Sequence, residues 1–156
     1  MQYQAARVRY FYSKFEKLRA GIYTVFGGNV EFELFTFFEV AYHLKDYIKH
    51  SQNYINMTDV EDYINSTGSL RICADICNKL KHNRLHKNRS NKPLGPFLIT
   101  TEVTVGPRDE DAEVKLVAAH IETEIGTVCC FELAKMILAD WESYFSTNKI
   151  KIILAP

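Results

Sequence analysis

Residues 30–50 read VEFELFTFFEVAYHLKDYIKH, a stretch that is apolar over most of a helical circumference. Leu34, Phe37, Ala41, Leu44 and Ile48 recur at helical spacing, and Phe35, Phe38 and Tyr42 widen the stripe. A helix with so little polar surface is expected to be central, touching neighbours on several sides. One narrow polar stripe remains on it: Thr36, Glu39, His43, Asp46 and His50.

The flanking segments supply partners for that helix. Residues 3–20 carry Val8, Phe11, Phe15 and Leu18 at 3-4-3 spacing, with Arg7, Lys14 and Lys17 off the stripe. Gly27-Gly28-Asn29 breaks the chain before residue 30. Thr58 fits an N-cap, with Glu61 completing a capping box for a short helix through Ile64. A third long helix is expected over 70–85, with Leu70, Cys73, Ala74, Cys77 and Leu80 on its apolar face and Arg71, Asp75, Asn78 and His82 on its polar one. From Pro93 the period changes to two: Phe97, Ile99, Thr101, Val103 and Val105 alternate with Leu98, Thr100, Glu102 and Thr104. A turn at 106–111 and a return strand over 114–121 make a hairpin, ambiguous at Val117-Ala118-Ala119. After Gly126 a last helix presents Phe131, Ala134, Leu138, Trp141 and Phe145, and 150–154 is expected to be a short strand. The expected fold is therefore mainly α: an antiparallel four-helix bundle with a β-hairpin excursion at about 96–122, in one domain over 1–156.

Composition fits one globular domain of 156 residues, with 47% hydrophobic and 24% charged residues. Formal net charge is zero, so no global field draws the chain to nucleic acid or membrane, and any electrostatic argument is local. The N-terminus has no apolar run followed by a cleavage pattern, and no stretch approaches the ~18 apolar residues a membrane span needs. Cys73 and Cys77 lie four apart on a helix and Cys129 and Cys130 are adjacent, which is not a secreted disulfide framework. A cytoplasmic protein without membrane contact is expected.

Two features point toward chemistry. His43 and Asp46 share a face of the second helix, Asn78 and His82 a face of the third, and antiparallel packing would let the groups meet. Such a cluster is a structural network clasping two helices, a set of groups that simply sit in water, or a site, since buried polar groups need partners. The segment 79–92 carries Lys79, Lys81, Arg84, Lys87, Arg89 and Lys92 with no acid. Helix-dipole complementarity explains the first few cations but not those in the loop, where phosphate of RNA, DNA or a nucleotide is a natural partner. The acidic hairpin, with Glu102, Asp109, Glu110, Asp111, Glu113, Glu122 and Glu124, is an alternative partner within the molecule or across a dimer. Helical Cys73 and Cys77 lack the turn-borne spacing of a zinc knuckle, and neither a phosphate-cradling Gly-rich loop nor a Gly-x-Ser-x-Gly elbow is present. No metal or cofactor is expected.

The paired stretches 41–47, AYHLKDY, and 75–82, DICNKLKH, resemble a family of uncharacterised bacterial and phage proteins that pairs a His-Leu-x-Asp helix with an Asn-x-x-Lys-His helix end. That pairing is distantly similar to the HEPN superfamily of helical bundles, which includes toxin and defence ribonucleases. The resemblance covers the second and third helices. It implies His82 as the site histidine and Asn78 as its polar neighbour. The Arg expected before that histidine is missing: Arg71 lies too far upstream, and Arg84 follows His82 and is too close to His86. Two functions follow as expectations. One is a binding or scaffold module, alone or as a homodimer, contacting RNA, a phosphate or a partner protein through Lys79, Lys81, Arg84, Lys87 and Arg89. The other is a metal-independent endoribonuclease in which His82 and Asn78, with His43 oriented by Asp46, carry the chemistry.

Overall fold

A computed structural model of the chain describes residues 1–20, 30–51, 57–81, 89, 93–104 and 113–154. The helices are α1 (Gln2–Ala20), α2 (Val30–Tyr42), α3 (Leu44–Lys49), α4 (Val60–Ser66), α5 (Gly68–Lys81) and α6 (Cys130–Thr147), and the strands are β1 (Phe97–Thr104), β2 (Glu113–Thr123) and β3 (Gly126–Cys129). The protein is mainly helical, with one small antiparallel sheet of order β1-β2-β3. Among the described residues, no helix is long and apolar enough to cross a membrane.

The core forms where the apolar stripes converge. Phe15 of α1 stacks on Phe131 of α6 with ring centroids 4.4 Å apart, and on Phe37 of α2 at 6.0 Å. Phe131, Ala134, Leu138, Trp141 and Phe145 of α6 are all buried, as their spacing requires. α1 packs on α2, α2 on α5, α5 on α6, and α6 on both α1 and α2. Gln4 is fully buried in α1, and its side-chain amide donates to the Val40 carbonyl of α2 at 2.7 Å, which satisfies a polar group that burial would otherwise penalise.

Several boundaries differ from the sequence expectation. The helix expected over 30–50 is interrupted at His43. There the Asp46 amide donates to the His43 carbonyl at 3.1 Å, a three-residue closure, while the two side chains meet across the same turn. Asp59, not Thr58, caps α4: its carboxylate accepts from the amides of Glu61 and Asp62. Thr58 is drawn instead to α6, accepting from the Tyr144 hydroxyl and donating its amide to Asn148 Oδ1.

The hairpin expected over 96–122 is the first part of a three-stranded sheet. Residues 126–129, expected to open the last helix, pair with β2 from Thr123↔Gly126 to His120↔Cys129. Gly126 adopts φ 104° at this tight turn, a conformation that glycine reaches without a Cβ penalty. The register of β1 and β2 slips between Thr100, paired with Ala118, and Thr101, paired with Leu116, which leaves Val117 as a bulge. The bulge resets the alternation so that Leu116 and Ala119 are both buried while Val117 is exposed. This is why 117–119 has no clean period in the sequence.

The tail from 150 is not a strand. α6 ends in a Schellman arrangement, in which the Ile150 amide bonds the Phe145 carbonyl and the Lys149 amide the Ser146 carbonyl. Lys149 takes φ 55° at the position where glycine is usual, at a cost of about 1 kcal/mol. The chain then runs back to bury Leu154, whose amide donates to Glu142, while Arg9 of α1 donates to the Ile153 carbonyl at 2.7 Å.

Candidate functional site

A polar cluster does join these helices, but it is centred on Glu61 and Arg89 rather than on the expected stripes. His43 Nδ1 lies 2.8 Å from Asp46 Oδ2, with the two side chains 43% and 44% exposed. The pair is therefore half solvated, at one wall of a cleft of about 260 Å³ lined also by Gln4, Arg7, Thr36 and Glu39. Asp46 also accepts at its main-chain carbonyl from His50 Nδ1 at 2.6 Å when that nitrogen is protonated. Among the described residues, no hydrogen bond or ion pair joins Asn78 to His43 or Asp46. His82, Arg84 and Lys87 lie outside the described residues.

Glu61 is the hub. Its Oε1 accepts from Lys45 at 2.9 Å and Lys49 at 2.5 Å, and its Oε2 accepts from Arg89 at 2.7 Å. The Arg89 guanidinium further donates to Asn65 Oδ1 at 2.9 Å and Tyr42 Oη at 3.2 Å. The Arg89 main-chain amide donates to Asp75, which is fully buried in α5, at 2.7 Å. One loop residue thus ties α2, α4 and α5 together. Burial alone would raise the Glu61 carboxyl, but hydrogen bonds from Lys49, Lys45 and Arg89 outweigh it and hold it at about 2. Arg89 is held above its ordinary value: burial opposes its charge, and Glu61, Tyr42 and Asp75 more than compensate. Lys45 behaves alike, with Glu61 and Tyr42 overcoming burial.

Lys79, at the other end of the basic segment, is also committed internally. Its ammonium donates to the Leu94 carbonyl at 3.1 Å and the Gly95 carbonyl at 2.6 Å. Lys81, at the end of α5, is exposed. Glu124, after β2, pairs with Arg71 of α5 at 2.9 Å. Sequence reading missed Glu61 because a carboxylate three residues after a Thr fits a capping box equally well. The only signal was the i,i+4 pair Lys45 and Lys49, two cations on one face.

Two of the four cysteines have thiols shifted away from the thiolate. Burial pushes the Cys77 thiol well above its usual value, helped by a hydrogen bond with Cys73, and burial pushes Cys130 up to about 12. Among the described residues, no three His, Cys, Asp or Glu side chains are placed to hold a metal ion.

The chain matches no protein-family model, no curated protein and no solved structure.

Proposed function

We propose that the protein is a binding or scaffold module of HEPN-like, four-helix character that contacts the phosphates of RNA through an anchored basic loop. The contacts among α1, α2, α5 and α6 support the four-helix reading. The observation that carries the functional reading is the pair of anchors: Lys79 on the Leu94 and Gly95 carbonyls, and Arg89 on Glu61, Asn65, Tyr42 and Asp75. Lys81, Arg84 and Lys87 fall between these anchors in the sequence. A chain joined at two fixed residues has less conformational entropy to lose on binding than a free one. Lys79 and Arg89, expected to touch phosphate, act here as the tethers.

Fluorescence anisotropy with a mixed-sequence single-stranded RNA in EDTA tests this proposal. Binding should weaken sharply in the triple variant K81Q/R84Q/K87Q while the melting temperature stays within about 2 °C of the parent. Unchanged binding in that variant rejects the loop as the contact.

The His43–Asp46 pair supports a second reading, a metal-independent endoribonuclease of toxin or defence type. A carboxylate bonded to Nδ1 fixes the imidazole and leaves Nε2 to take or give a proton, with His82 and Asn78 completing the group. Cleavage in EDTA that leaves 2′,3′-cyclic phosphate ends, and is lost in a stable His82→Ala protein, would establish it.

A further inference from the structure

Far from the basic loop in sequence, the C-terminal end of α6 and the tail form a groove against α1 and the end of α3. Two adjoining cavities of about 310 and 460 Å³ share Lys151 as a wall. Arg9, Lys149 and Lys151 line them, and among the described residues no Asp or Glu does. In a chain of zero net charge, three cations around two adjoining cavities with no carboxylate among their described lining are a local excess.

Two further observations single the groove out. Ser51, also on its wall, carries a buried hydroxyl oxygen with no hydrogen-bond partner. Buried polar atoms are normally satisfied, so an unpartnered hydroxyl on this wall is unusual. Lys149 stands in the left-handed conformation that the Schellman turn reserves for glycine. A cation complements the negative end of the α6 dipole, yet a Lys or Arg in the last turn would do that without backbone strain, and that turn has none. Backbone strain retained beside an unpaired cation is a pattern found at binding sites.

We infer that this groove binds a phosphate group, held between Lys149 and Lys151 with the Ser51 hydroxyl as a further hydrogen-bond partner. Neither lysine has an ion-pair partner among the described residues, so both ammonium groups are available. Arg9, on the wall of the adjoining cavity, spends one donor on the Ile153 carbonyl and adds positive charge beside the site. Isoleucines 150, 152 and 153 add apolar wall beside the cations, which suits a phosphate ester with an organic body.

Calorimetric titration of the full chain with inorganic pyrophosphate tests the site, beside K149G, K151Q and S51A proteins and the loop variant K81Q/R84Q/K87Q. Saturable binding is expected, weakened about ten-fold or more by K149G and by K151Q and unaffected by the loop variant. K149G removes the strained side chain from a glycine position, so its melting temperature should equal or exceed the parent's, and lost binding cannot be ascribed to unfolding. Competition by single-stranded RNA would assign the phosphate to nucleic acid, and absence of competition to a free phosphate ester. No saturable binding up to ~10 mM, or binding that K149G and K151Q leave intact, overturns the site. Loss in the loop variant alone would assign all anion binding to residues 79–92. A silent groove with RNA still bound by the loop refutes only this inference.

Discussion

Replacing Glu61 by Gln preserves its shape and removes one charge from a cluster of three cations. An amide nitrogen, itself a donor, would then face an ammonium or the Arg89 guanidinium. The carboxyl is held at about 2 against an ordinary 4.5, the hydrogen bonds from Lys49, Lys45 and Arg89 having overcome the opposing effect of burial. At about 1.4 kcal/mol per pH unit, that displacement sets a ceiling of roughly 3 kcal/mol. The side chain is 26% exposed, so solvent screening reduces the ceiling. We expect E61Q to lose about 1–2 kcal/mol at pH 7, equivalent to a melting temperature lower by roughly 3–6 °C. Because the folded value is depressed, the contribution is complete above 4.5 and disappears as pH falls toward about 2. Urea unfolding followed by circular dichroism at pH 7, 4 and 3 should show the gap between parent and variant narrowing in that window. A gap that is absent at pH 7, or that is as large at pH 3 as at pH 7, would refute the clamp.

Two further substitutions test other parts of the account. A Cβ on Gly95 would lie 2.6 Å from Glu122 Cβ, on a segment that also receives the Lys79 ammonium, so G95A should cost about 1–3 kcal/mol in chemical denaturation. D59A should cost about 1 kcal/mol through loss of the α4 cap, whereas T58A, whose main chain makes its contacts, should cost less than about 0.5 kcal/mol. Equal losses in the two would return the cap to Thr58.

How much of this was legible depended on whether a feature lies within one element. The α6 face could be read because Phe131, Ala134, Leu138, Trp141 and Phe145 repeat with the helix, and each is buried. β3 could not, since four residues offer no period and the helix starts at once at Cys130. The Val117 bulge erases the alternation at the place where it was needed. His43 and Asp46 were paired correctly from an i,i+3 spacing. Glu61 and Arg89 are 28 residues apart, and nothing periodic connects them; only folding brings them together. The basic segment was visible as charge, but two of its cations are tethers because carbonyls and a carboxylate from distant elements reach them.

The most direct test of the anchored-loop account is the salt dependence of RNA binding. Anisotropy titrations between 50 and 200 mM salt should give a log–log slope for the parent that falls in magnitude by about 2 in K81Q/R84Q/K87Q, three phosphate contacts at roughly 0.7 each on a single strand. The same slope in both proteins, or no RNA binding by the parent at low salt, would contradict the account.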